Sequence, residues 1–119
     1  MATCRLFRIA EEELEDIWLY TYEKWGEKQA DSYIYGLYDC MEKLATKTLL
    51  WRTAPRNLCV PPDIPHAVYF YHYQRHYLFF RELQNGDIGI ISILHDAMEI
   101  PVRLAQDLEE LSKNSTSMD

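Results

Sequence analysis

Residues 75–95 read RHYLFFRELQNGDIGIISILH, and this stretch decides the fold. Two apolar runs of strand length, Arg75–Leu83 and Asp87–Leu94, flank Asn85-Gly86. That dipeptide accepts the positive φ angles of a tight hairpin turn, so the runs are predicted to pair antiparallel. In the first run Tyr77 and Phe79 fall on one face, and Leu78 and Phe80 on the other, because side chains alternate along a strand. In the second, Ile88, Ile90, Ile91, Ile93 and Leu94 leave almost no polar position. A strand apolar on both faces belongs at the centre of a sheet that is covered on both sides.

Working outward, His66–His72 predicts a further strand, joined to Arg75–Leu83 through a turn at Tyr73-Gln74, which completes a three-stranded antiparallel meander. Upstream of it, Thr48–Pro65 is irregular and holds Pro55, Pro61, Pro62 and Pro65, four of the five prolines, so it reads as a long loop. Before the loop come two helical patterns. Leu14, Ile17, Trp18, Thr21 and Trp25 form one predicted buried stripe, in a helix beginning near Glu11 and stopped by Gly26. Ala30, Ile34, Leu37, Met41 and Leu44 form a second, over Glu27–Thr46, with the alternating four- and three-residue spacing of a helix-packing seam. So short a connection predicts an antiparallel hairpin of helices. Glu11, Glu12, Glu13, Glu15 and Asp16 read as a solvated helix start, where acids suit the helix dipole. Cys4–Ile9 alternates loosely and predicts a first strand that pairs somewhere in the sheet. After Glu99-Ile100-Pro101 a last helix is expected over Val102–Leu111, with Leu104, Leu108 and Leu111 on one side. The fold class is therefore α+β. One domain is expected over residues 1–113, with a core of about 4–101, a C-terminal helix of about 102–112 and a disordered tail at 114–119.

Composition narrows the function classes. A chain of 119 residues can bury one core, and 48% hydrophobic with 26% charged residues is too apolar for disorder. No apolar run approaches the roughly 20 residues of a membrane span, and the N-terminus does not read as a signal peptide. Three cysteines, Cys4, Cys40 and Cys59, are an odd number at unequal spacing. That argues against a disulfide framework or a cysteine-rich zinc site and suits a reducing cytoplasm. A net charge of −7 disfavours nucleic acid as a partner, since phosphate neutralisation by cations supplies nonspecific affinity. No phosphate-binding glycine loop is present, and no cofactor is expected.

Local motifs sharpen this reading. Asp16-Ile17-Trp18, Tyr20 and Trp25-Gly26-Glu27, followed by Gln29-Ala30-Asp31 with Tyr33 and Leu37, resemble the ParE branch of the RelE/ParE toxin superfamily. So do Arg75-His76-Tyr77-Leu78-Phe79-Phe80-Arg81 and Ile93-Leu94-His95 with Met98-Glu99. The resemblance spans about Arg5 to Pro101. It implies the RelE/ParE-like fold, namely an N-terminal strand, an antiparallel helix hairpin, a three-stranded meander completing a small antiparallel sheet, and a C-terminal helix. It also implies the toxin of a type II toxin–antitoxin system, neutralised by a ParD-like antitoxin in a hetero-oligomer, with DNA gyrase as target and roles in plasmid maintenance and stress response. The family often has Arg where Ser92 stands, and the loop lacks the usual Pro…Gly-Arg pattern. On the resemblance, Arg75, Arg81, His95, Trp51 and Arg52 are the expected target contacts, and Trp18, Tyr22, Tyr33 and Tyr38 the expected antitoxin contacts.

Two other readings stay open: a RelE-like ribosome-dependent messenger endoribonuclease, and a non-toxic member that keeps only antitoxin binding. Phosphodiester cleavage needs cations beside the scissile phosphate and a group that moves a proton. The end of the last strand reads His95-Asp96-Ala97-Met98-Glu99, with acids where cations would be needed. His95 is a candidate acid–base group by residue type, but it reads more readily as a strand-end histidine hydrogen-bonded to the long loop or the first helix. His72 and His76 face each other across a turn without further metal ligands. Cys59 lacks an identifiable His partner, and Cys40 is expected to be inert. Tyr69, Tyr71, Tyr73 and Tyr77 suit sheet packing, a protein interface or, less readily, stacking on bases.

Overall fold

A computed structural model describes residues 3–53 and 68–113. Within them the order is β1 (Cys4–Leu6), α1 (Arg8–Trp25), α2 (Glu27–Ala45), β2 (Arg52–Thr53), β3 (Tyr69–Tyr73), β4 (His76–Glu82), β5 (Ile88–His95) and α3 (Ile100–Lys113). The strands form one sheet in the order β1-β5-β4-β3-β2. The meander is as expected, with β3 antiparallel to β4 and β4 antiparallel to β5. Two additions modify the sheet. Arg52-Thr53, inside the stretch read as loop, pairs with Phe70 and Tyr69 as an antiparallel edge. β1 runs parallel to β5, so the sheet is mixed rather than wholly antiparallel. The parallel arrangement is possible because two helices and most of the meander separate the paired strands, far more chain than a crossover needs.

β1 ends at Leu6, not Ile9. Phe7 is still extended (φ −68°, ψ 160°), yet its carbonyl already accepts the Glu11 N–H at 3.0 Å, so the helix starts at Arg8. Ala10 belongs with Leu14 and Ile17 on the helical stripe, and all three are buried. Burial along α1 stops at Ile17. Trp25 keeps the angular position of the stripe, but the last turns outrun the sheet, and it is 70% exposed rather than buried. Gly26 alone joins the two helices. Its φ of +94° favours glycine, its N–H closes α1 on the Tyr22 carbonyl, and its carbonyl opens α2 by accepting from Ala30. The α2 seam is as predicted, with Ala30, Leu37, Met41 and Leu44 buried and Ile34 packed beside them.

The sheet sits between two helical layers. Ile88, Ile90, Ile93, Leu78 and Phe80 face the hairpin, against Leu14, Ile17, Leu37, Met41 and Leu44. Phe79, Ile91 and Leu94 face the other way, against Leu104 and Leu108 of α3. The C-terminal helix thus packs on the core, and β5, buried from Ile88 to Leu94, is an interior strand between β1 and β4, covered on both faces as its composition predicted. A bulge sets the alternation. Phe79 pairs with Ser92 and Phe80 with Ile90, leaving Ile91 without an opposite number. Ile91 and Ser92 both turn toward α3 as a result. Residues 54–67 and 114–119, including Cys59, four of the five prolines and the expected tail, lie outside the described residues.

Candidate functional site

One end of the sheet gathers most of the chemistry. The β4–β5 register places His76 opposite His95, with the rings edge-to-face at 5.1 Å. Tyr33 reaches from α2 to His76 Nδ1 at 2.7 Å. The Tyr33 oxygen also accepts the Arg75 N–H at 3.4 Å, so one hydroxyl ties the β3–β4 turn to the imidazole. His76 is buried, and desolvation, helped by the neighbouring His95, pulls its pKa down to about 4. It is therefore a neutral imidazole at physiological pH. His95 Nδ1 accepts the Ala97 N–H at 3.0 Å and so caps the turn that follows its own strand. The Asp96 carboxylate lies between His95 (3.4 Å) and His72 (3.7 Å), and the Asp96 N–H donates to the Arg75 carbonyl at 2.8 Å. Arg75 and His95, two expected target contacts, are thereby brought to the same corner.

Beside this corner lies a buried acid cluster. Glu13, read as part of a solvated acidic run, is only 7% exposed. Its Oε1 accepts the Ile93 N–H at 2.8 Å, and Ser92 Oγ donates to Asp107 at 2.5 Å. Arg103 spans both acids, 3.4 Å from Glu13 and 3.4 Å from Asp107. Burial, with a hydrogen bond to Asp107, raises the Glu13 pKa well above the carboxylate range, against the Ile93 N–H and Arg103, which oppose it. The cluster ties α1, β5 and α3 together. The sequence did hold a signal for it, since Glu13 falls three residues after Ala10 and four before Ile17, on the buried stripe. Ser92, where the family often has Arg, is fully buried here, and the bulge turns it onto Asp107.

A groove of about 470 Å³ opens between α1, the end of β5 and the start of α3. Its walls are Ile17, Ile93 and Met98 with Asp16, Tyr20 and His95, and the acid cluster lies at its back.

The other expected target contacts lie elsewhere. Arg81 is five residues along β4 from His76, about 17 Å at ~3.3 Å per residue, with its guanidinium 5.2 Å over the Phe7 ring. Arg52 is exposed on the β2 edge, opposite Phe70. Trp51 is half-buried. Its Nε1 donates to the Leu44 carbonyl at 2.7 Å, and its ring meets Phe80 edge-on at 5.4 Å. Among the expected antitoxin contacts, Trp18 donates to Asp31 at 2.9 Å, bolting α1 to α2, and stacks on Tyr22 at 5.1 Å. Tyr22 and Tyr38 are about half exposed, whereas Tyr33 is half-buried against His76. Trp25, expected on the buried stripe, and Tyr35, not singled out from sequence, are both about 70% exposed on the same hairpin. Desolvation pushes the thiols of Cys4 and Cys40 up to about 12 and about 11, so neither is a ready nucleophile. Among the described residues no group of three His, Cys, Asp or Glu side chains converges to hold a metal, and no helix is long and apolar enough to cross a membrane.

Comparison with known proteins agrees with this architecture. Residues 5–100 match the model of the family described as ParE toxin of type II toxin-antitoxin system, parDE. Two curated relatives, each called Toxin ParE1, come from Mycobacterium tuberculosis strains CDC 1551 / Oshkosh and ATCC 25618 / H37Rv. Each is 28% identical over 91 residues, covering 76% of this chain and 86% of the relative. With the family model matching most of the chain, from β1 to the first residue of α3, the protein belongs to the ParE toxin family of type II toxin–antitoxin systems.

Proposed function

We propose that this toxin acts in the cytoplasm by binding DNA gyrase, and that a ParD-like antitoxin neutralises it by direct contact. The end of β5 carries the choice of a binding mechanism over cleavage. His95 is followed by Asp96 and Glu99 with no Lys or Arg, His76 is neutral, and Arg103 is committed to Glu13 and Asp107. A phosphodiester brought here would meet carboxylates and find Arg75 as the main cation of the corner, which is poor support for a pentacoordinate phosphate.

Arg75 and His95 form the proposed centre of the gyrase contact, with Arg52 and Arg81 as outlying contacts. Trp51 supports the β2 edge from beneath. The antitoxin surface is the aromatic crest of the hairpin, Trp18, Tyr22 and Tyr38, with Tyr33 acting through the His76 corner. Exposed aromatic rings of this kind are the usual anchors of protein interfaces.

Induced expression in a bacterial host, with and without the gene encoded next to it, tests the reading. The expected result is growth arrest, an SOS response and loss of supercoiling by purified gyrase, all relieved by the neighbouring product. Rapid cleavage of translated messages with normal DNA topology would overturn it in favour of an endoribonuclease. An absence of any growth defect would leave only the antitoxin-binding part standing.

A further inference from the structure

We infer that the groove beside α1 receives a basic, amphipathic segment of the antitoxin, seating a Lys or Arg side chain against Asp16 over an apolar floor. The inference rests on the antitoxin reading above and adds the chemistry of the docking segment.

Three observations converge on it. The first is shape: the groove, about 470 Å³, falls within the range of well-formed binding clefts, about 300–1,000 Å³. The second is its apolar character. Ile17 and Ile93 form the floor, and Tyr20 and Met98, 56% and 45% exposed, stand at its mouth. Apolar walls carrying a few convergent polar groups are the usual character of a binding cleft. The third is charge. Asp16 has no ion pair among the described residues, whereas the one cation lining the groove, Arg103, is held by Glu13 and Asp107. Arg103 is offset by the acids it spans, so the charge left free in the groove is that of Asp16. Along the same face of α1, Glu23 adds a further negative charge, Glu12 is paired with Arg8 at 3.9 Å, and the whole chain carries −7.

The fold itself gives a precedent for cation capture at this rim. Lys24 Nζ sits over the Tyr20 ring, 5.2 Å from its centroid. With Lys24 over the Tyr20 ring, a partner cation would be held by the Asp16 carboxylate and not by that ring. Groove and aromatic crest lie on opposite flanks of α1. A single segment wrapping that helix would use its aliphatic residues on Ile17 and Met98 and its cations on Asp16. An acidic segment would place like charges together and be repelled.

The test uses the full-length toxin and the antitoxin encoded beside its gene, with affinity measured by titration calorimetry. Asp16→Asn is expected to weaken binding about tenfold. Met98→Lys and Met98→Glu both lose the apolar contact, but only Lys adds repulsion to a basic segment, so Met98→Lys should weaken binding about tenfold more than Met98→Glu. Thermal unfolding of each variant guards against loss of the fold. If wild type binds and the three variants bind equally, or if Met98→Glu is as damaging as Met98→Lys, the basic segment in this groove is refuted while the antitoxin reading stands. If wild type itself does not bind, the antitoxin reading falls, and this inference falls with it.

Discussion

Replacing Glu13 by Gln should make the protein's stability less dependent on pH. In the fold this carboxyl is buried with Asp107, and its pKa is raised by desolvation. Unfolded, it would titrate near the ordinary glutamate value, about 4.3. A raised folded pKa means that the group's stabilisation is complete below the unfolded pKa and drains away as pH rises toward the folded value. The drain is one proton's worth, about 1.4 kcal/mol per pH unit. Gln has nearly the same volume, accepts the Ile93 N–H as Glu13 does, and keeps a donor for Asp107, but it does not titrate. Between about pH 5 and pH 7 the stability of wild type relative to Glu13→Gln should therefore fall by about 2–3 kcal/mol. Urea unfolding of both proteins at several pH values in that range reads the difference directly. His76 works with the opposite sign: its folded pKa is lowered, so its contribution is complete above about 6.5 and is lost as pH falls through about 4. It is common to both proteins and subtracts out. Parallel stability curves would refute the reasoning, because they would mean that Glu13 is ionised in the fold and that Arg103 outweighs burial.

Trp51→Ala removes a ring packed on Tyr69 and Phe80 and a hydrogen bond to the end of α2; it should cost about 3–5 kcal/mol in denaturant melts. A loss below about 0.5 kcal/mol would return Trp51 to the role of a surface contact. Tyr33→Phe leaves the buried His76 Nδ1 without its hydrogen-bond partner and should cost about 1–3 kcal/mol, read in the same melts. Arg75→Ala lies on an exposed turn and should leave stability within about 0.5 kcal/mol while weakening inhibition of purified gyrase. Unchanged inhibition would remove Arg75 from the proposed contact.

Much of the architecture could be read in the sequence because period and turn chemistry are local. The Ile88–Leu94 run required a covered strand, Asn85-Gly86 required a hairpin, and Gly26 required the break between helices. What escaped depended on distant chain. The apolar spacing of α1 gave the angle of Trp25 but not the point where the sheet beneath it ends. Arg52-Thr53 is too short to show a strand period, and only β3 makes it one. The acidity of residues 11–16 concealed Glu13, although its register on the stripe marked it as inward-facing. Its partners, Ser92 and Asp107, are brought to it by a bulge and by a helix on the far side of the sheet, neither of which announces itself locally. The hairpin was legible, and it is the hairpin register, His76 opposite His95, that brings Arg75 and His95 to one corner. Arg81, chosen from the same motif as Arg75, points to a different part of the surface because a strand carries its residues apart at ~3.3 Å each.

The parallel pairing of Cys4 with Ile88 has a consequence for the nascent chain. The first strand to leave the ribosome must wait for the last, while the helix hairpin emerges with its apolar face uncovered. At about 5–20 residues per second, the roughly eighty residues between them take about 4–16 s to synthesise. Through that interval there is no finished sheet, no groove and no corner where His76 meets His95. The order of synthesis thus withholds the active shape until β5 is out, giving the cell a brief period in which an antitoxin already present could take hold of a toxin that is not yet one.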